Sequence, residues 1–253
     1  MSPSSPELTH IFMFFVSSSD WRPSVDLAYC LSTGEFSQFS PQDISWDPVF
    51  PQSPISPDST PSVSIANLVE PRLAQCFLDL QHFTAVVNAA TPAHPVPSTV
   101  FQGIVSSIQY RLIALQETLA DFLPECLRLG MLAFLTTTFQ MPGNVVRYPY
   151  LARRFRDCYR AVEKTPDLAD VVRWLLVVGA ISVCGPDEEW LRAAWAVDVA
   201  EEEEQSWDRT RERLRDVMWI DGLHDEPGRA AFEALSSSNP STSITELPTR
   251  QSP

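Results

Sequence analysis

From about residue 63 onward, apolar residues recur at helical spacing. In "SIANLVEPRLAQCFLDLQHFTAVVNAA", Leu68, Leu73, Phe77, Leu80, Phe83 and Val87 mark one face, with Pro71 a place where the helix can start afresh. "TPAHPVP" ends it, and "STVFQGIVSSIQYRLIALQETLADFL" carries a second stripe through Val100, Ile104, Ile108, Leu112 and Leu115. The stretch "ECLRLGMLAFLTTTFQMPG" is apolar nearly all round. Leu127, Met131, Phe134, Leu135 and Phe139 cover one side, and Leu129, Leu132 and Ala133 much of the rest. Such a helix belongs at the centre of a bundle. Pro124 suits its first turn. Thr136, Thr137 and Thr138 do not stop it, because a threonine hydroxyl can bond back to a carbonyl one turn earlier.

Further stripes follow. "YPYLARRFRDCYRAVEKTP" sets Leu151, Phe155, Tyr159 and Val162 opposite a row of arginines. Asp167 is a candidate cap for the buried run "DLADVVRWLLVVGAISVCG", which Gly185 and Pro186 close. "DEEWLRAAWAVDVAEEEE" begins with carboxylates, as suits the positive end of a helix dipole. "SWDRTRERLRDVMWIDG" has Trp207, Leu214, Val217 and Met218 inside, and "EPGRAAFEAL" adds a final turn or two. Eight helical stretches, no convincing strand and no fixed repeat predict an all-α, compact multi-helix array over residues 63–236.

The ends differ in texture. Residues 1–62 are rich in Pro, Ser and Asp ("SPQDISWDPVFPQSPISPDSTPS") and predict a mostly disordered leader; residues 237–253 predict a disordered tail. Within the leader, "HIFMFFV" is expected either to pair as a short strand or to dock as a hydrophobic peptide rather than stay freely solvated. Phe36, Phe39, Trp46 and Phe50 among acidic residues fit either a contact segment of the activation type or a plain linker.

Charge narrows the function classes. The formal net charge is −14, and Lys164 is the one lysine, which argues against direct binding to a nucleic-acid backbone. No stretch reaches the roughly 20 apolar residues of a membrane helix, so no membrane span is expected. The five cysteines are odd in number and widely spaced, as in a reduced protein with buried thiols.

Candidate chemistry is sparse. His10, His82, His94 and His224 stand apart from one another and from cysteine at metal-ligand spacing, so ordinary surface or loop histidines are expected and no metal or cofactor. Cys126 or Cys158 could pair with a distant His82, yet no glycine-rich loop or nucleophile elbow accompanies them. Asp79, Glu117, Asp157 and Asp170 are the carboxylates a helical enzyme could draw on, and none forms a D-x-x-D pair. Arg153, Arg156 and Arg160 share one helix face with Arg154 at its margin. They form either a docking stripe for an acidic partner or a row paired with carboxylates such as "AEEEEQ". In "EEEEQSWDRTRERLRD" the spacing predicts weak ion pairs along one helix, Asp208 with Arg211 among them. Trp174, Trp190, Trp195, Trp207 and Trp219 are expected in the core rather than around a ligand cavity.

The run "RLGMLAFLTTTF", a proline-bearing break and then "YLARRFR" resembles the C-terminal helical regulatory domain of fungal transcription factors, over roughly residues 63–220. That family usually carries a binuclear zinc cluster with C-x2-C-x6-C in a basic setting; residues 1–62 hold only Cys30 and Arg22. The resemblance therefore implies a regulatory domain without its DNA-reading module, either a cluster-less relative or a gene model lacking an upstream exon. It implies a non-enzymatic, transcription-associated role, nuclear with a cytoplasmic alternative. Protein partners such as the transcription machinery or a second copy follow from it, with a small-molecule effector as an option. The competing readings are an all-α enzyme of specialised metabolism and a structural homodimer.

Overall fold

The computed structural model describes residues 22–35, 37, 44–50, 65, 68–138, 146–199 and 206–237. In chain order these form α1 (Arg22–Thr33), α2 (Pro71–Ala89), α3 (Ser98–Ala114), α4 (Phe122–Thr137) and α5 (Pro149–Ala161). A short 3-10 turn (Pro166–Leu168) leads into α6 (Ala169–Ile181), α7 (Glu189–Asp198), α8 (Trp207–Val217) and α9 (Asp221–Ser236). The fold is all-α: among the described residues the only β pairing is an isolated bridge between Thr91 and His94.

Two helices without a polar face set the architecture. Every residue of α4 from Pro124 to Thr137 is buried, and so is every residue of α6 from Val171 to Ile181. Such helices must be enclosed by others. α4 packs against α2, α3, α5 and α6, while α6 packs against α4, α7, α8 and α9. The body thus has two groups of helices, with the α4–α6 pair packed between them. Gly130 sits where α4 meets α6, and a Cβ there would lie 2.5 Å from Leu175 Cδ2 and 3.0 Å from Trp174 Cζ3.

The three threonines bond back to the helix as expected, but α4 ends among them, at Thr137 with Thr138 as its C-cap, and does not run on to "MPG". Their hydroxyls donate to the carbonyls of Ala133, Phe134 and Leu135 at 2.7, 2.6 and 2.7 Å. Trp174, Trp195, Trp207 and Trp219 are buried, and Trp174 Nε1 donates to the Met218 carbonyl at 2.7 Å. Trp190 is only half-buried, against Phe155 and Tyr159.

Several expectations shift at the boundaries. The helical body starts before residue 63: α1 contributes buried Leu27, Cys30 and Leu31 and packs on α3 and α5. Its apolar residues, spaced four or fewer apart inside a Pro/Ser-rich context, are too few to stand out in sequence. Leu68 and Val100 are exposed, at 54% and 49%, because each lies at or beyond the start of its helix. α3 stops at Ala114 rather than running to residue 123, and Glu117 in the following turn has φ +62°. Asp167 lies in the 3-10 turn and does not cap α6, whose N-cap is Leu168. α9 starts at Asp221 and continues through Pro227, which sits on its exposed side. "HIFMFFV", Phe36, Phe39, Phe139, "AEEEE" and residues 238–253 lie outside the described residues.

Candidate interaction surface

Burial explains why α5 presents its arginines. Leu151, Phe155, Cys158 and Tyr159 turn inward, and Phe155 packs where Gly179 of α6 leaves room for its ring. Helical geometry then sends Arg153, Arg156 and Arg160 to the opposite side. The four arginines do not behave alike. Arg154 reaches back to Glu125 of α4, Nη2 to Oε1 at 3.4 Å. That carboxylate is already gripped by buried Arg128 through two contacts of 2.6 and 2.8 Å, with Arg128 Nη1 on the Leu112 carbonyl. Arg154 therefore belongs to the fold's own ion network. Arg153 lies over the Tyr150 ring at 5.7 Å. Arg156 meets its neighbour Asp157 at 3.8 Å, a weak contact, and its buried Nε has no hydrogen-bond partner. Arg160 forms no ion pair among the described residues.

Arg147, just before α5, widens this face. Its guanidinium lies against Gly185, where a Cβ would stand 2.9 Å from Nη2. Arg147 and Arg156 both act on the adjacent Cys184 thiol: burial pushes that thiol up to about 12, Glu188 adds to the rise, and the two cations oppose it. The result is a cationic face on a chain whose formal net charge is −14.

The other candidate residues do not converge. Asp79 is in α2, Glu117 in the turn after α3, Asp157 in α5 and Asp170 in α6. Asp79 is buried against Arg111 at 2.8 Å, while Asp170 takes Arg173 at 2.6 Å and Arg213 at 2.9 Å. Arg211 bonds not along its own helix to Asp208 but across to α9, at 3.0 Å from Asp221 and 2.8 Å from Asp225. All five cysteines are buried, and burial raises the pKa of each thiol: Cys30 to about 11, Cys76 to about 12, and Cys126 and Cys158 as well. Among the described residues, no three His, Cys, Asp or Glu side chains are grouped as a metal site requires. No helix among them is long and apolar enough to cross a membrane.

His82 and His94 are exposed, but His224 is 1% exposed, a correction to the expectation of surface or loop histidines. The signal was present in its spacing with Gly228, Ala231, Phe232 and Leu235, the buried residues of α9. Of the four aromatics expected in a contact segment or a plain linker, Trp46 and Phe50 pack against the helical body, and Phe36 and Phe39 lie outside the described residues. Two open grooves of about 400 Å³ flank the end of α2. One is lined by Gln81, Asn88 and Arg215, the other by Val86, Val96 and Val100. No family model, curated protein or solved structure matches this chain.

Proposed function

We propose that the chain is a non-enzymatic helical regulatory domain that acts through protein partners. In this reading the α5 face of Arg153, Arg156 and Arg160, extended by Arg147, receives an acidic partner segment. The carrying observation is that these guanidinia have no strong carboxylate partner among the described residues, although acidic residues outnumber basic ones 32 to 18. Guanidinium forks suit carboxylates, and charge complementarity speeds encounter more than it deepens affinity. Arg154, tied to Glu125, contributes to the fold instead.

The transcription-associated, nuclear role is part of the same proposal and rests on the resemblance of "RLGMLAFLTTTF" and "YLARRFR" to fungal regulatory domains. That resemblance is one of packing, and it assigns no residue a role. A small-molecule effector draws no support from the two grooves at the end of α2, which lie open at the surface.

Titration with a labelled oligoglutamate peptide tests the surface. Binding that weakens at least tenfold in R153E/R156E, at an unchanged unfolding midpoint, supports it. Unchanged binding, or a loss of fold stability without a loss of binding, removes it. A reporter driven by the full chain fused to a heterologous DNA-binding domain tests the transcriptional part, and an unmoved reporter removes that.

A further inference from the structure

Residues 44–50 cross α2 and α3 as a docked peptide would. Trp46, Val49 and Phe50 turn toward the core, while Asp47 and Pro48 face solvent. Arg72 of α2 stands 4.9 Å above the Trp46 ring, and His82, also of α2, lies 5.9 Å from the Phe50 ring. The polar contacts go to the segment's backbone. Val49 N–H donates to Asp79 Oδ1 at 3.1 Å, and Arg111 Nη2 donates to the Asp47 carbonyl at 2.8 Å. Asp79 and Arg111 are joined to each other at 2.8 Å, and Gln75 Nε2 holds Asp79 at 3.0 Å.

A buried carboxylate and guanidinium thus present one acceptor and one donor to a peptide backbone, flanked by two aromatic seats. Backbone contacts of this kind are indifferent to side-chain identity, and the seats supply the specificity. We infer that the α2–α3 cleft is a peptide-docking site, and that residues 44–50 are its occupant in cis. The external ligand it fits is a partner's bent segment with two aromatic anchors four residues apart around an Asp-Pro pair, the chemistry of "WDPVF" itself. A tethered occupant competes at an effective concentration on the order of millimolar, so it holds the cleft closed to weaker ligands. This site is separate from the arginine face of α5 and stands or falls without it.

The test is a labelled peptide of residues 42–52 titrated against the full chain and against W46A/F50A, in which the cis occupant has lost both anchors. Saturable binding to the variant, with the native chain at least tenfold weaker, is expected, and a peptide lacking both aromatics should not bind. Equal binding to both proteins, or none to a folded variant, overturns the inference. Should the variant not fold, hydrogen exchange of the native chain decides. The Val49 amide should exchange by local release, far faster than amides of α4; exchange at the α4 rate overturns the inference. Val49 protection that is lost on dilution, together with a concentration-dependent sedimentation shift, would place the segment on a second copy and overturn the partner assignment.

Discussion

His224 donates its Nε2 hydrogen to Thr137 Oγ1 at 2.7 Å, joining α9 to the end of α4 inside the core. The direction of this bond follows from the ring's other side, where Ile220 N–H donates to Nδ1 at 3.1 Å and leaves no place for a second hydrogen. Thr137 in turn donates to the Phe134 carbonyl at 2.6 Å, and the imidazole packs between Phe134 and Trp219 at 4.8 and 4.9 Å. Burial holds its pKa down at about 3, with Asp225 acting weakly the other way.

A pH dependence follows. The unfolded chain takes a proton on this histidine near pH 6.5, while the folded chain resists until about 3. Between those values the unfolded state binds more protons, so this contribution is complete above 6.5 and is lost as pH falls, at up to roughly 1.4 kcal/mol per unit. Asp216 and Asp221, whose carboxyls burial pushes up, oppose the slope in the acid part of the window. Urea unfolding between pH 4 and 7 should show the slope in the native chain and a flatter one in H224Q.

Asp79 and Arg111 bond at 2.8 Å with almost no exposure, so each neutralises a charge that could not otherwise be buried. D79L or R111M alone should cost about 3–5 kcal/mol, because the surviving charge loses its partner. The double variant should be less destabilised than the sum of the two. A double-mutant cycle from chemical denaturation measures this, and strict additivity would refute the coupling.

Two glycines in helices should respond to alanine with opposite signs. Gly103 on α3 has nothing within 4 Å of a new Cβ, so G103A should stabilise by roughly 0.5–1 kcal/mol. At Gly130 the new atom meets Leu175 Cδ2 at 2.5 Å and Trp174 Cζ3 at 3.0 Å, so G130A should destabilise by about 1–3 kcal/mol despite its better helix propensity. Thermal unfolding of the pair distinguishes local propensity from packing.

Thiol reactivity should report unfolding. Cys30, Cys76, Cys126, Cys158 and Cys184 are buried, with pKa values raised by that burial. Iodoacetamide at pH 8 should label the native chain far more slowly than the urea-unfolded chain. Fast labelling of any of the five in the folded protein would contradict its placement.

The eight helices beyond residue 63 were legible because apolar spacing is a local property: each stripe names the face that must leave water. The all-round apolarity of "RLGMLAFL" likewise placed α4 at the centre before any neighbour was known. The end of α3 was not legible, since "QETLADF" continues a helical pattern and only the turn at Glu117, with its positive φ, breaks it.

Pairings between distant positions were legible nowhere. Nothing near Asp79 in sequence announces Arg111, 32 positions on, and nothing around Thr137 announces His224, 87 positions on. The division of the arginine stripe, with Arg154 drawn inward to Glu125 and Arg153 and Arg160 left outward, depended on which helix lay beside α5. By itself the amino-acid order determined which segments coil and which of their sides are oily, because those follow from neighbours a few bonds away. Only the folded body decided which polar groups meet, since desolvation and charge pairing act through space, between residues the chain keeps far apart.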